Sequence, residues 1–210
     1  MRSFIVLFLM ALASPEEAPA PKAPALGLLE ERTETVYYDV HGQTPYALAS
    51  SLAARGPKHG GERYFGMTEW TLRASYGRRT EAGACRLTDV AVHLDVEISL
   101  PRWNGDEEHA LRPDWDEFVG ALDAHEHGHR TLALEAADAV RAALAELERA
   151  DCRTLWRDAE ATMIAVMADY DERHRAYDLY TNHGYTQGVV WPRTSDGWYV
   201  ASAAAPVPAH

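Results

Sequence analysis

Hydrophobic and polar residues alternate through three runs in the first half of the chain, which predicts β-strands. The runs are residues 34–40, 68–76 and 90–100. A period of two places the apolar side chains on one face of a strand and the polar ones on the other. The sharpest run is 90–100, whose polar face carries His93, Asp95 and Glu97. A solvated sheet face explains these residues better than a second metal site.

One short helix and two long ones are predicted beside these strands. Thr44 followed by Pro45 opens a helix through about residue 54, because threonine caps helices and proline suits their first turn. Apolar residues then recur at three- and four-residue spacing over about 114–147 and 152–180, which is typical of amphipathic helices. Asp114, with a glutamate three residues later, predicts a capping box. Strands followed by helices indicate an α+β fold, with an antiparallel or mixed sheet packed on the two long helices.

Both ends of the chain have the composition of segments outside a folded domain. Residues 1–13 have a basic start, a short apolar stretch and an Ala-x-Ala end, which predicts a secretory signal peptide. We expect a Pro- and Ala-rich linker over 14–26, one domain over 27–200 and a disordered tail over 201–210. No later stretch is long and apolar enough to span a membrane. The sequence therefore predicts an exported protein with no membrane span.

The charge of the chain bears on its partners. The formal net charge is −12, and the sequence has no stripe of basic residues that could contact phosphates. We therefore expect no nucleic-acid partner. The charge does not identify a substrate, and the sequence does not indicate an oligomeric state.

The two cysteines, Cys85 and Cys152, predict one disulfide, because cysteine pairs in exported proteins are usually bridged. The bridge would connect the sheet to the second long helix. A nucleophilic or metal-binding cysteine is the less favoured alternative. No Cys-x-x-Cys pair exists, and neither cysteine belongs to the histidine motif of the first long helix.

The candidate chemistry lies at residues 125–129, which read His-Glu-His-Gly-His within the first predicted long helix. Side chains four positions apart share a helix face, so His125 and His129 can bind one metal ion. Glu126 lies beside that ion, where it can take a proton from an activated water. Zinc is the expected cofactor, because this spacing is typical of zinc hydrolases. His127 projects from a different face, and we expect it to be solvated or to support the site from outside.

A third protein ligand has to come from another segment, and the end of the second long helix supplies the candidates. Asp178 falls off the centre of the apolar face, so it is poorly aimed if the helix is straight. His183 precedes Gly184, which marks a helix stop or a tight turn. Its ring either turns towards the first helix or stays in an exposed loop, and the residues alone leave both open. Tyr177 and Tyr185 are candidate phenols that would donate a hydrogen bond to an oxyanion.

A set of short motifs is spread over about residues 33–192. They are Thr68-x-Trp70, Cys85, Leu100-Pro101-x-Trp103, His125-Glu126-x-Gly128-His129, Asp151-Cys152, Tyr177-Asp178, Thr181-x-His183-Gly184 and Gln187-Gly188. Their combination resembles a bacterial family of uncharacterised secreted proteins known as predicted zinc-dependent proteases, which is grouped with the zincin-like metallopeptidases. The resemblance implies a zincin-like fold in which His125 and His129 bind zinc and Glu126 is the base. It also implies His183 as the preferred third ligand, with Asp178 as the runner-up. If His183 is the ligand, we expect Asp178 to accept a hydrogen bond from the other N–H of a ligand imidazole.

The leading interpretation is a secreted or periplasmic zinc metallopeptidase that hydrolyses amide bonds in a peptide or protein substrate. One alternative is another zinc amidohydrolase, which acts on cell-envelope material. The other is a non-catalytic zinc-binding or interaction protein that keeps the fold. Glu126 argues against the last, because a structural zinc site needs no base. In many zincins an edge strand binds the substrate backbone, and residues 90–100 or 68–76 are the candidates for that strand.

Overall fold

A computed structural model describes residues 27–192 of the chain. Three predicted segments lie outside the described residues: the signal peptide (1–13), the linker (14–26) and the tail (201–210). Residues 193–200, the last part of the expected domain, lie outside them as well. In chain order the elements are β1 (Leu28–Val40), α1 (Pro45–Arg55), β2 (Lys58–His59), β3 (Glu62–Arg63), β4 (Met67–Glu81), β5 (Ala84–Trp103), α2 (Arg112–Ala145), β6 (Glu148–Arg149), α3 (Cys152–Thr181) and a 3-10 turn (Tyr185–Gln187). None of these helices combines the length and the apolar character needed to cross a membrane.

The central strand of the sheet is β5, which pairs with β1 on one side and with β4 on the other. β1 runs parallel to β5, whereas β4 runs antiparallel to it. The two-residue strand β6 also pairs antiparallel with β5, near the start of that strand. These pairings confirm a mixed sheet, and with the three helices of residues 27–192 they give an α+β fold.

All three predicted strands are present, and each is longer than its alternating pattern. β4 and β5 continue past that pattern as a hairpin that ends with Glu81 opposite Ala84. Ala82 and Gly83 form its turn with φ values of 48° and 84°, and positive φ at both positions matches the twist of paired strands. The β4 side of this hairpin, residues 77–81, is exposed. Alternation alone could not predict it, because neither face is apolar there.

Two of the helices begin with a side-chain cap. Thr44 accepts a hydrogen bond from the backbone N–H of Ala47 at the start of α1. Asp151 accepts hydrogen bonds from the backbone N–H groups of Arg153 and Thr154 at the start of α3. Each cap satisfies backbone donors that have no partner inside the helix. Both helices therefore begin where the sequence predicts.

The start of α2 differs from the prediction. The expected capping box at Asp114 is wrong, because the helix already begins at Arg112 and Leu111 caps it with no side-chain hydrogen bond. Pro113 is accommodated in the first turn, where a missing N–H costs no helical hydrogen bond. Asp114 lies in the same turn, where its negative charge interacts favourably with the helix dipole.

The hydrophobic core lies between one face of the sheet and α2. The buried side chains of β5 alternate as predicted, and they include Val92, Leu94, Val96, Ile98 and Leu100. α2 covers them with a buried stripe that includes Trp115, Phe118, Leu122, Ala133, Ala137, Val140 and Leu144. The opposite face of β5 keeps His93, Asp95 and Glu97 partly or fully exposed. This is the arrangement of a sheet with one packed face and one solvated face.

The predicted disulfide between Cys85 and Cys152 is confirmed, with the two Cα atoms 5.2 Å apart. Cys85 is the second residue of β5, and Cys152 is the first residue of α3. The bridge therefore joins the sheet to α3 across 67 residues of sequence. By restricting the unfolded chain, a bridge of this kind contributes roughly 2–4 kcal/mol to stability.

Candidate metal centre

Three polar residues of the histidine motif are buried on α2, where that helix packs against the sheet and α3. The relative exposures of His125, Glu126 and His129 are 4%, 4% and 9%. Burying polar side chains costs free energy unless each finds a partner. His127 lies on another face of the helix, with Nδ1 2.9 Å from the carbonyl oxygen of Asp123. The buried set is therefore the pair of histidines four residues apart, together with the glutamate.

The Nε2 atoms of the two buried histidines converge on one carboxylate oxygen of α3. Asp178 Oδ1 lies 3.3 Å from Nε2 of His125 and 2.9 Å from Nε2 of His129. One ligand atom from each of these residues lies within 4.8 Å of the others. Asp178 belongs to a face of α3 that also carries His174, Tyr177 and Thr181, spaced as neighbours on one side of a helix.

This donor set fits a zinc ion. Two imidazole nitrogens and one carboxylate oxygen are typical ligands of zinc sites that keep an open fourth position. Bond lengths of about 2.0–2.2 Å place the ligand atoms of a tetrahedral zinc about 3.3 Å apart. The N···O separations of 2.9 and 3.3 Å are close to this value. His125, His129 and Asp178 could therefore hold a metal ion together.

Each of the two histidines is also held through its other ring nitrogen. His125 Nδ1 lies 2.9 Å from Gln187 Oε1, and this amide oxygen can only accept a hydrogen bond, so Nδ1 donates. Gln187 lies in the 3-10 turn after α3, and its Nε2 donates to the hydroxyl of Tyr177 at 3.0 Å. His129 Nδ1 lies 2.9 Å from His174 Nδ1. An imidazole oriented in this way presents the lone pair of Nε2 to a metal.

Glu126 is held beside the histidines by the start of β4. Thr68 donates a hydrogen bond to Oε2 at 2.8 Å, and its hydroxyl oxygen lies 3.1 Å from the carbonyl oxygen of Glu126. Gly66, one residue before β4, keeps room beside the other carboxylate oxygen, because a Cβ there would lie 2.7 Å from Oε1. Burial raises the pKa of Glu126, although Thr68 and the two histidines oppose the shift.

The charges at the point of convergence favour a cation. Burial opposes ionisation of Asp178, but hydrogen bonds from His125 and His129 outweigh it and hold the pKa of the carboxyl well below its usual range. Burial also opposes protonation of His125, yet its hydrogen bonds to Asp178 and Gln187 raise its pKa. The carboxylate thus attracts positive charge to the two Nε2 atoms. A metal cation can take the place of the protons there.

His174 is a further histidine next to this group, and it is partly buried. Burial lowers its pKa to about 4, with a further contribution from the charge of His129, so its ring is neutral near pH 7. The ring packs against Trp70 of β4, with centroids 5.5 Å apart and planes 25° apart. Its Nε2 is buried and has no hydrogen-bond partner among residues 27–192.

Tyr177 fills the contact between α2 and α3. Its ring lies nearly parallel to that of His125, with centroids 5.1 Å apart, and meets His129 edge-on at 5.0 Å. Its hydroxyl lies 3.3 Å from the carbonyl oxygen of His125. Gly128 permits this close approach, because a Cβ there would lie 2.1 Å from the phenol oxygen. The phenol therefore contacts the backbone of α2 and the side chain of Gln187.

The sequence of residues 35–184 matches the family described as "Bacterial protein of unknown function (DUF922)". The chain belongs to this family. The matched part of the DUF922 protein contains the whole histidine motif, His174 and Asp178, and it ends before Gln187. No curated protein and no solved structure matches the chain.

His183 lies outside the group formed by His125, His129 and Asp178. In this DUF922 protein its side chain is 62% exposed, and its Nδ1 is 3.9 Å from Asp178 Oδ1. The φ values of Asn182 and His183 are 49° and 52°, so the backbone is left-handed at two successive positions directly after α3 ends at Thr181. Gly184 approaches α2 instead, since a Cβ there would lie 3.0 Å from Cγ of His125. The geometry thus favours Asp178 over His183 as the third ligand, which is the opposite of the order expected from the sequence.

The other residues expected at the site are placed as follows. Tyr185 lies in the 3-10 turn after α3 and is 43% exposed.

Three supporting residues, Thr68, His174 and Gln187, had no role assigned from the sequence. His174 could have been found, because it precedes Asp178 by four residues and so shares its helix face. The partners of Thr68 and Gln187 lie far away in sequence, and no local pattern identifies them.

Proposed function

We propose that this DUF922 protein is an exported zinc-dependent metallopeptidase, in which His125, His129 and Asp178 bind zinc and Glu126 is the general base. The observation that carries the proposal is the convergence of two Nε2 atoms and a carboxylate oxygen beside a buried glutamate. Structural zinc sites usually have four protein ligands and need no base. Three ligands and a neighbouring glutamate instead suit hydrolysis, because the fourth position is left for water or substrate.

Glu126 has the properties that the proposed proton transfers require. Zinc, when bound, would polarise a water molecule and the carbonyl group of an amide substrate. Glu126 takes the proton of the water and passes it to the nitrogen of the leaving amine. Its raised pKa suits both steps, because a base is most effective when its pKa lies near the working pH. The hydrogen bond from Thr68 to Oε2 fixes the carboxylate and leaves Oε1 to accept the proton.

Tyr177 has a supporting role in this mechanism, which differs from the oxyanion donor expected from the sequence. Its hydroxyl is engaged with the carbonyl oxygen of His125 and with Gln187. It therefore fixes the position of the imidazole ring against which it lies. Tyr185, which is partly exposed after α3, is the remaining candidate phenol for the oxyanion.

β4 is the strand that would bind an extended peptide substrate. β5 has a neighbour on both sides, so residues 90–100 cannot accept a further strand. β4 pairs with β5 on one side only, and within the described part of the chain no strand pairs with its other edge. Thr68, the second residue of β4, contacts Glu126. A peptide added along this edge would pass beside the general base, which supports a peptide or protein substrate.

Export is supported by the disulfide. Bridges such as Cys85–Cys152 persist in oxidising compartments and are rare in the bacterial cytosol. Together with the bacterial family and the signal peptide predicted from the sequence, this supports a secreted or periplasmic location.

The test of the proposed function is hydrolysis by the zinc-loaded protein and its Glu126→Gln variant. We expect the wild-type protein to cleave members of a quenched fluorescent peptide library. Glu126→Gln should bind zinc equally but lose about 100–10,000-fold in kcat, because only the proton acceptor is removed. Glu135→Gln is the matched control, since Glu135 is an exposed glutamate of the same helix.

Two outcomes would contradict this proposal. Full activity in the Glu126→Gln variant would show that Glu126 is not the base. A zinc-loaded wild-type protein that cleaves no peptide in the library would contradict the peptidase assignment and favour a non-catalytic role.

A further inference from the structure

His174 and His129 meet edge to edge through their Nδ1 atoms. These atoms are 2.9 Å apart, the ring planes differ by 13°, and the ring centroids are 5.2 Å apart. When two imidazole nitrogens are 2.9 Å apart, the ring centroids are farthest apart if both nitrogens lie on the line between them. The observed centroid distance has this greatest value. Both nitrogens therefore lie on the line between the ring centres, and the rings are nearly coplanar rather than stacked face to face. This is the geometry of a straight N–H···N hydrogen bond.

The positions of the protons follow from the role of His129. A neutral imidazole that binds a metal through Nε2 keeps its proton on Nδ1. The Nδ1–H of His129 then has to donate to Nδ1 of His174. Nδ1 of His174 must therefore be unprotonated, which places the proton of that ring on Nε2.

We infer that His174 is a positioning residue for the metal centre, which accepts the hydrogen bond of His129 and so fixes the orientation and proton of that ligand. Gln187, in the 3-10 turn that follows α3, does the same for His125. The inference rests on the proposed function, because it requires His129 to bind zinc through Nε2. Partners of this kind raise the basicity of a ligand imidazole and hold its ring in place.

Two observations separate this role from the alternatives. His174 is not a member of the metal-binding group, which over residues 27–192 consists of His125, His129 and Asp178. Its Nε2 is buried and has no hydrogen-bond partner in the described part of the chain, and a buried polar atom in that state costs free energy. A residue kept only to pack against Trp70 would avoid this cost by being apolar. A histidine at position 174 is explained if the site requires its Nδ1 to accept a hydrogen bond from His129.

Three substitutions distinguish positioning from packing. His174→Phe keeps an aromatic ring beside Trp70 but removes the acceptor. His174→Asn removes the ring but can place an oxygen near the position of Nδ1. His127→Phe is the matched control, because His127 is a half-exposed histidine on another face of α2. Far-UV circular dichroism and thermal unfolding of the metal-free proteins check that each variant folds.

The first measurement is the Kd for zinc, obtained by competition with a chromophoric chelator. We expect His174→Phe to weaken binding about 10–100-fold, as is usual when the outer partner of a ligand is lost. His174→Asn and His127→Phe should bind nearly as tightly as the wild-type protein. A Phe variant that binds zinc as tightly as the wild type, or an Asn variant that binds more weakly than the Phe variant, would overturn the inference.

The second measurement needs no substitution. Long-range proton–nitrogen NMR spectra of the zinc-loaded wild-type protein distinguish the two imidazole tautomers. We expect the Nδ1–H form for His129 and the Nε2–H form for His174. A proton on Nδ1 of His174 in the zinc-loaded protein would overturn the inference.

The outcomes also separate this inference from the proposed function. A wild-type protein that binds no zinc would overturn both. Zinc binding that is tight in the wild type and unchanged in His174→Phe would overturn the inference alone.

Discussion

Asp178 is the residue that connects the two histidines of α2 to α3. Its Oδ1 lies within 3.3 Å of both Nε2 atoms, and it is the carboxylate of the candidate metal group. His183, five residues later, is mostly exposed. Both side chains lie near the end of α3, but only that of Asp178 belongs to the group that could bind a metal ion. This difference supports the proposal that Asp178, rather than His183, is the third ligand.

We predict that Asp178→Ala weakens zinc binding by more than about 100-fold, which exceeds the usual effect of an outer partner. His183→Ala is the matched control from the same segment and should change the Kd for zinc little. A chelator competition assay measures both. The opposite ranking, with His183→Ala the more damaging, would make His183 the ligand and Asp178 an accessory residue.

Part of the site could be predicted because it is local. His125, Glu126 and His129 are fixed relative to one another by the geometry of one helix, so their spacing is informative by itself. Asp178 falls off the centre of the buried face of α3 when the apolar residues alone define that face. The side of α3 that faces α2 also holds polar residues, and a pattern of apolar residues does not reveal them. His183 could not be placed, because its position depends on two successive left-handed residues, Asn182 and His183.

The relation between α2 and α3 determines whether Asp178 reaches the histidines. Gly128 lies where the phenol of Tyr177 meets α2, and a Cβ at this position would lie 2.1 Å from the phenol oxygen. At Gly120, on the same helix, an added Cβ would meet no atom of the described residues within 4 Å. The two glycines thus share a helix but differ in their surroundings.

We predict opposite effects of alanine at these two glycines. Gly120→Ala should raise the free energy of unfolding by about 1 kcal/mol, because alanine favours helix. Gly128→Ala should lower it by about 1–3 kcal/mol through overpacking, and should weaken zinc binding because α3 is displaced. Urea unfolding and a zinc titration measure these effects. Equal stability of the two variants would show that the Gly128 contact does not limit the approach of the helices.

At the level of elements, the sequence predicted a helix or strand correctly where one face is buried, because apolar residues then repeat at a regular spacing. The alternation in β5 and the spacing in α2 predicted both elements, because each has one buried face. The pattern did not predict two features that backbone geometry determines. The β4 side of the hairpin, residues 77–81, is exposed and has no apolar face. α2 begins without a side-chain cap. The pairing of β1 parallel to β5 is a long-range property that no local pattern contains.

For the molecule as a whole, the disulfide links the two layers that carry the site. Cys85 belongs to β5 of the sheet, and Cys152 begins α3, which carries Asp178 of the candidate metal group in its last turn. α2 packs between these parts through contacts with both β5 and α3. The bridge therefore stabilises the arrangement of sheet and helices without forming part of the site.

We predict that reduction lowers the free energy of unfolding by roughly 2–4 kcal/mol, because the unfolded chain gains conformational freedom. Urea unfolding with and without reductant measures the change, and the Cys85→Ser/Cys152→Ser double variant controls for effects of the reductant. The protein, denatured without reductant, should show no reactive thiol. Two labelled cysteines would contradict the bridge.

The central claim is that His125, His129 and Asp178 bind zinc together, and X-ray absorption of the zinc-loaded protein tests it most directly. We predict one zinc per chain with two imidazole nitrogens at about 2.0–2.1 Å and carboxylate or water oxygens at about 2.0–2.2 Å. The imidazole signal should be halved in His125→Ala and the spectrum unchanged in His127→Phe. A protein that binds no zinc, or a spectrum that is the same in wild type and His125→Ala, would contradict the account.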